Sequence, residues 1–306
     1  MRVHGCICAL ATPLGPDGAL DLEGFRALLS LQRAAGVQGV VVAGSTGQGA
    51  LLSEEEIDRL IGEVLDLSAP RPLLLVGTGA ASTAQAIVRT RRAAAAGAEM
   101  ALVSTPYYVR PTQEGLYRHF MAVADRGGLP IVLYNVPSRT ACDLHPETVE
   151  RLREHPQILG IKESRAEPER WKALLPLRKA DFAVLSGDDP SMAECLVSGA
   201  DGVISVAANV APRAIVSLCA AAARGELEAV RALDASLRPL YGFLAVEPNP
   251  IPVQWLLAQR LGWASAVPRL PLTELDSAHR ALGREMLALL EAFEPAHPPS
   301  SVLTPR

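Results

Sequence analysis

A lysine suited to covalent chemistry and an arginine suited to carboxylate binding, on neighbouring segments, are the most informative residues of this chain. Lys162 lies in the apolar run 158–164, and Arg139 lies in the polar run 134–140. Burying a lysine amine at the end of a strand favours its neutral form, and a neutral amine attacks carbonyl carbon. Lys162 is therefore a candidate Schiff-base lysine. The alternative is a lysine whose stem packs on the protein while its ammonium reaches water.

Hydroxyl groups follow several apolar runs and suit carboxylate binding and proton transfer. Ser45 and Thr46 lie on a glycine-flanked turn that can offer hydroxyl and backbone N–H groups to a small carboxylate. Arg139 supplies a second, bidentate carboxylate site. A tyrosine such as Tyr134 can move the proton that imine formation requires. Two carboxylate sites beside Lys162 predict two small acidic carbonyl compounds, one bound covalently, as in a lysine-dependent aldolase.

Eight short apolar strands, each followed by an amphipathic stretch, are expected to position these residues. The strands are predicted at 6–10, 39–42, 73–76, 100–103, 131–134, 158–162, 183–186 and 202–206. Continuous apolar strands are typical of a parallel sheet that is buried on both faces. An open doubly wound sheet is the alternative, but the Gly-x-Gly-x-x-Gly turn expected after its first strand is absent. The pattern favours an α/β fold, a (β/α)8 TIM barrel with the candidate residues at its C-terminal mouth.

The chain is predicted to divide into three parts. Residues 1–224 would form the barrel, and residues 225–294 would form a C-terminal extension with helices at 226–241, 250–261 and 273–293. Residues 295–306 are rich in proline and serine, which predicts a mobile tail. Ser53 and Ser82 are each expected to begin a helix with a capping box, and Gly36 and Gly97 are expected at the C-terminal ends of helices.

Composition favours a globular protein and argues against several other classes. The 306 residues are 49% hydrophobic and carry a net charge of −4, which does not favour nucleic-acid binding. No apolar run approaches the ~20 residues that cross a bilayer, so no membrane association is expected. The N-terminus lacks the apolar core of a signal peptide, so a cytoplasmic location is predicted. Cys6 and Cys8 are interpreted as core fillers, and cysteine and histidine spacing predicts no metal and no cofactor.

The motifs resemble those of the dihydrodipicolinate synthase and N-acetylneuraminate lyase superfamily over nearly the whole ordered length. The matching segments are 44–47, 105–108, 134–140, 160–163, 185–189 and 202–206, and segments 111–117 and 246–253 are similar to the dihydrodipicolinate synthase branch in particular. The resemblance implies condensation of pyruvate with L-aspartate semialdehyde to 4-hydroxy-tetrahydrodipicolinate, the first committed step of diaminopimelate and lysine biosynthesis. The alternatives are another pyruvate aldolase of this superfamily, acting on a sugar acid or hydroxy-oxo acid, and a non-catalytic sensor of keto acids.

The resemblance also implies catalytic roles. Lys162 would form the Schiff base with pyruvate, and Tyr134 would donate and accept the proton. Ser45 and Tyr108 would complete a proton relay with Tyr134. Tyr108 in this family reaches in from a neighbouring subunit, which implies a homo-oligomer, commonly a dimer of dimers.

Three further residues are implied to bind the substrates. Thr46 and the backbone carbonyl of Ile204 would contact the pyruvate-derived part, and Arg139 would hold the carboxylate of aspartate semialdehyde. The chain departs from the family pattern at Gln48, where glutamate is usual, and at Val109, where asparagine is usual. These departures bear on specificity and regulation rather than on Schiff-base chemistry.

Feedback control by lysine is also expected to differ. Ala81 and Gln85 stand where lysine-sensitive members carry asparagine and glutamate, and residues 52–57 contain no histidine. These differences imply weak or absent inhibition by lysine.

A third departure concerns the proton relay and not lysine binding. Ser45 replaces the usual relay threonine and loses the methyl group that restricts its side chain.

Overall fold

Eight parallel strands close into a barrel in chain order within residues 2–294, which the computed structural model describes. The strands are β1 Gly5–Ala9, β2 Gly39–Val42, β3 Leu73–Gly77, β4 Met100–Ser104, β5 Ile131–Asn135, β6 Ile158–Glu163, β7 Ala183–Ser186 and β8 Gly202–Ser205. The predicted TIM barrel is confirmed, and each strand bound lies within one residue of its predicted position.

Helices follow the strands and surround the barrel. They are α1 Leu22–Ala35, α2 Glu54–Leu65, α3 Thr83–Ala95, α4 Gln113–Arg126, α5 Pro137–Thr140, α6 Pro146–Leu152, α7 Pro168–Leu174, α8 Met192–Val197, α9 Pro212–Ala223, α10 Leu227–Leu244, α11 Ile251–Leu261 and α12 Arg280–Phe293. None of these described helices is both long and apolar enough to cross a bilayer.

Local capping explains where the early helices begin and end. Ser53 forms the predicted capping box of α2 with Glu56, in which each residue's side chain accepts from the other's backbone N–H. Ser82 caps α3 by accepting from the backbone N–H of Gln85, which is half of the predicted box. Gly36 ends α1 in the left-handed conformation at φ 77°, which a residue with a Cβ adopts at a cost.

Two apolar layers hold the barrel. The inner layer fills the barrel with alternate strand residues such as Ile7, Val41 and Ile204. The outer layer packs the opposite strand faces against the helices and contains Phe25 and Phe120. The barrel interior is therefore filled with side chains, so a substrate can bind only at the ends of the strands.

The C-terminal extension differs from its prediction in one element. The helix expected over 273–293 begins at Arg280, after a 3-10 turn over Ser277–His279. Asp276 causes the difference, because its carboxylate accepts from the backbone N–H of Ala278 and closes a tight turn instead of an α-helical one. The division at residue 224 stays a prediction, and the predicted tail at 295–306 lies outside the described residues.

Candidate active site

The barrel brings Lys162 and Tyr134 together at its C-terminal mouth. Lys162 lies near the end of β6, Tyr134 lies near the end of β5, and the two residues are register partners. The Lys162 Nζ atom lies 4.2 Å from the centroid of the Tyr134 ring. Only 5% of Lys162 and 8% of Tyr134 are exposed. The sequence-predicted amine and phenol are therefore buried neighbours.

Space for the lysine side chain is provided by a glycine. A Cβ atom at Gly187 would lie 2.7 Å from the Cε atom of Lys162 and 2.5 Å from the hydroxyl of Ser164. Real Cβ contacts are not this short, so a larger residue would displace the lysine stem. Gly187 follows β7 directly, and its lack of a side chain is what allows Lys162 to extend into the mouth.

A cavity of about 240 Å³ opens above this pair. Five of the seven predicted site residues line it: Lys162, Tyr134, Ser45, Thr46 and Arg139. Ser45 and Arg139 are exposed to solvent, whereas Thr46 is buried. The volume suits a small substrate better than an extended one.

An asparagine of the C-terminal extension joins the two predicted carboxylate sites. The Asn249 side-chain amide donates to the Thr46 hydroxyl at 3.0 Å. The Arg139 guanidinium donates to the Asn249 backbone carbonyl at 2.9 Å. Sequence reasoning assigned no role to Asn249, although the residue lies in segment 246–253, one of the segments that carry the family resemblance.

An acidic residue also lines the cavity without having been predicted as a site residue. Asp189 follows β7, and its carboxylate accepts from the backbone N–H of Ala207 at 2.7 Å. Burial raises the pKa of Asp189, and the positive charge of Lys162 opposes that shift. The cavity lining therefore contains two carboxyl groups, those of Asp188 and Asp189, together with the side chains of Lys162 and Arg139.

The two remaining predicted residues lie outside the cavity lining of the single chain. Tyr108 is 90% exposed and adopts a left-handed backbone with φ 71°. The side chains of its neighbours Tyr107 and Val109 are exposed as well. Ile204 is buried in β8 as part of the inner apolar layer.

This arrangement suits imine chemistry on a small keto acid. A buried amine lies beside a phenol that can transfer a proton, and hydroxyl and amide groups lie where a carboxylate could bind. The exposed guanidinium of Arg139 in the same lining can take a second carboxylate. The two-carboxylate site inferred from Ser45, Thr46 and Arg139 stays a prediction.

Comparisons with known proteins agree with this reading. Residues 2–289 match the dihydrodipicolinate synthetase family. A relative from Xanthomonas campestris, a 4-hydroxy-tetrahydrodipicolinate synthase, is 53% identical over 294 residues, which are 96% of this chain and 97% of the relative.

Two solved structures resemble the chain closely. The chloride-inhibited dihydrodipicolinate synthase from Acinetobacter baumannii, complexed with pyruvate, is 40% identical with a TM-score of 0.91, over 94% of this chain and 99% of its own. A monomeric dihydrodipicolinate synthase variant is 37% identical with a TM-score of 0.91, over 94% and 96% of the two chains. Both similarities extend over the barrel and most of the C-terminal helices.

Proposed function

The chain belongs to the dihydrodipicolinate synthetase family, and on that premise we infer that it condenses pyruvate with L-aspartate semialdehyde. The product is 4-hydroxy-tetrahydrodipicolinate, and the reaction is the first committed step of diaminopimelate and lysine biosynthesis. In reaction class the enzyme is a lyase of the lysine-dependent aldolase type. The observation that carries this conclusion is the buried amine of Lys162, 4.2 Å from the Tyr134 ring centroid.

We propose that imine formation uses Lys162, Tyr134 and Thr46. The Lys162 amine attacks the ketone carbon of pyruvate, which gives a carbinolamine. The Tyr134 hydroxyl donates a proton to the departing hydroxyl group, so that water leaves and the C=N bond forms. The Thr46 hydroxyl, which accepts from the Asn249 amide, donates to the pyruvate carboxylate, and the backbone carbonyl of Ile204 contacts the pyruvate-derived part.

Carbon–carbon bond formation follows from the same pair. Loss of a methyl proton converts the imine to an enamine, whose carbon attacks the aldehyde of the second substrate. Arg139 holds the carboxylate of that substrate at the cavity wall, which orients the aldehyde toward the enamine. The amino group of the aspartate semialdehyde then displaces Lys162 by transimination and closes the ring.

A second copy of the chain is proposed to complete the proton relay. Tyr108 is 90% exposed, and its neighbours Tyr107 and Val109 are 38% and 56% exposed, which is costly for an apolar patch in water. Docking of a second copy would bury this patch and could bring its Tyr108 to Ser45 and Tyr134. We therefore propose a homo-oligomer, with a dimer of dimers as the predicted form. The cytoplasmic location likewise stays a prediction.

Steady-state kinetics test the proposed reaction. We expect kcat/KM for aspartate semialdehyde with pyruvate to exceed that for cleavage of N-acetylneuraminate or of a hydroxy-oxo acid by several orders of magnitude. Lys162→Ala should abolish turnover, and Lys172→Ala is the matched control because that side chain is 77% exposed. Faster cleavage of a sugar acid would contradict the proposal, and binding of pyruvate without any turnover would indicate a sensor.

A further inference from the structure

Directly behind the reacting pair, on the outer face of the barrel, lies a second pair of side chains. Asn135 follows Tyr134 in β5, and Glu163 follows Lys162 in β6. Consecutive strand residues point to opposite faces, so Lys162 and Tyr134 face the mouth while Glu163 and Asn135 face the helix layer. Asn135 and Glu163 are register partners, as Tyr134 and Lys162 are.

The outer pair is hydrogen-bonded and fully buried. The Asn135 amide nitrogen lies 2.9 and 3.1 Å from the two Glu163 carboxylate oxygens and donates to them. Both residues are 0% exposed. The Asn135 side-chain oxygen accepts from the backbone N–H of Leu144, so the amide cannot rotate without losing bonds on both sides. The two strand ends are thus joined by a rigid side-chain bridge.

Charged groups from three neighbouring segments surround the bridge. The Asn135 amide also donates to Asp143 at 2.8 Å, and the backbone N–H of Arg165 donates to Glu163 at 2.8 Å. Arg170 from α7 lies 3.8 Å from Glu163 and 2.5 Å from Asp143. The Arg165 guanidinium also lies 2.7 Å from Asp143, so two guanidinium groups and two carboxylates face each other, with Glu163 and Arg170 buried and Arg165 and Asp143 partly exposed.

The bridge adds a side-chain contact at the end of the β5–β6 ladder nearest the reacting residues. The two strands pair in register from Val132 and Gly160 to Asn135 and Glu163, after one shift between Ile131 and Val132 near the start of β5. Backbone pairing therefore places Lys162 level with Tyr134, and the contact of Asn135 with Glu163 joins the last pair of the ladder beside them.

We propose that Glu163 and Asn135 are positioning residues, whose bridge holds the Lys162 amine and the Tyr134 phenol at their reactive separation. This inference rests on the proposed function, because it assigns the bridge to imine formation on Lys162. Neither residue lines the cavity, so neither touches substrate. The bridge acts through the backbone of the two strand ends.

Ionisation of Glu163 makes the strength of the bridge depend on pH, which packing alone would not do. Burial raises the pKa of Glu163 to about 7, while Asn135, Arg165 and Arg170 favour the carboxylate and Asp143 disfavours it. Cys195 of α8 also lies near this carboxylate, and its thiol pKa is raised by burial and then by the negative charge of Glu163. A protonated Glu163 loses one acceptor for the Asn135 amide, so the bridge is strongest above neutral pH.

The test measures how fast pyruvate forms its imine on Lys162, by a quench time course with borohydride and mass spectrometry. Glu163→Gln keeps the shape of the side chain but replaces one carboxylate oxygen with an NH2 group. That group cannot accept from the backbone N–H of Arg165 or from the Arg170 guanidinium. Misplacement of about 1 Å costs about a hundredfold in rate, so we expect imine formation to slow about ten- to a hundredfold. The ratio of the wild-type imine rate to the Glu163→Gln imine rate should be largest above pH 7 and smaller below it.

Two further variants separate positioning from stability. Asn135→Ala removes the bridge from the other side, and the double variant should be no slower than the slower single variant, because both remove one interaction. Asn135→Ala also carries the test if Glu163→Gln does not fold. Glu294→Gln is the matched control, since Glu294 is 2% exposed, has a pKa raised by burial, and lies outside the cavity lining. It should lower stability but leave the imine rate unchanged.

The outcomes are distinguishable. Imine formation in Glu163→Gln and Asn135→Ala within about twofold of wild type, or a loss that Glu294→Gln reproduces at equal destabilisation, would overturn the positioning role while leaving the proposed function intact. A wild-type protein that forms no imine on Lys162 would overturn the proposed function, and the positioning role with it.

Discussion

Removal of the Arg139 guanidinium should damage use of the second substrate far more than use of pyruvate. A bidentate guanidinium–carboxylate contact has two charge-assisted bonds, each worth about 1.5–3 kcal/mol. Arg139 is exposed, so solvent screens the contact and the lower total of about 3 kcal/mol applies. That energy corresponds to about a hundredfold loss in kcat/KM for aspartate semialdehyde in Arg139→Ala.

The pyruvate half-reaction should change little in the same variant. Arg139 also donates to the Asn249 backbone carbonyl, and Asn249 in turn holds the Thr46 hydroxyl. Loss of that one neutral acceptor contact costs about 1 kcal/mol, so imine formation with pyruvate should fall less than tenfold. Arg139→Lys keeps the charge without the bidentate geometry and should lie between wild type and Arg139→Ala.

Steady-state kinetics for the second substrate and borohydride trapping of pyruvate provide the two measurements. Their ratio is the informative quantity, because a general loss of folded protein lowers both equally. Equal losses in the two measurements, or an unchanged KM for aspartate semialdehyde together with an unchanged kcat, would refute the assignment of Arg139 to the second carboxylate.

Three other properties should follow from the sequence and the structure. Lysine should inhibit weakly or not at all, because Ala81 and Gln85 replace the asparagine and glutamate of lysine-sensitive members; half-inhibition below about a millimolar would contradict this. Burial lowers the pKa of His119 to about 4, so between pH 6.5 and pH 4 the wild type should lose about 3 kcal/mol of stability relative to His119→Gln in denaturant titrations, while the raised pKa of Glu163 acts in the opposite direction in both proteins. Inactive Tyr108→Phe and Lys162→Ala proteins should regain activity when refolded together.

Protonation of buried His119 should destabilise the folded protein, and each prediction has an outcome that contradicts it. The His119 pKa is lowered on folding, so the stability that it contributes is present above pH 6.5 and is lost as pH falls toward 4. An equally pH-dependent His119→Gln protein would show that other groups cause the loss. Absence of complementation by the mixed proteins, at a concentration where oligomers form, would contradict a Tyr108 shared between copies.

Most of the fold could be predicted because the strands follow a simple physical pattern. Strands such as Gly39–Val42 and Ala183–Ser186 are short continuous apolar runs, which indicate a parallel sheet buried on both faces, and the missing Gly-x-Gly-x-x-Gly turn favours the closed barrel over an open sheet. The start of α12 could not be predicted from helical periodicity. It depends on the Asp276 carboxylate, which competes for the backbone N–H groups of that turn.

Site residues at strand ends could be predicted from the sequence, whereas contacts between distant segments could not. Lys162 and Tyr134 each end a strand, and a closed barrel places strand ends at one mouth. The contacts of Asn249 with Thr46, and of Asn135 with Glu163, depend on which segments cross in space, which no local pattern encodes. The proposed position of Tyr108 in the relay involves a second copy of the chain, which no pattern within one chain encodes.

Covalent trapping on Lys162 tests the central claim most directly. The protein is treated with pyruvate and borohydride, digested, and analysed by mass spectrometry, with Lys172 as the exposed comparison. We predict that a pyruvate-derived mass appears on Lys162 alone, and that aspartate semialdehyde, added before borohydride, discharges the imine and lowers the labelling. Labelling of Lys172 or Lys179 in place of Lys162, or no labelling of the folded protein, would contradict the account.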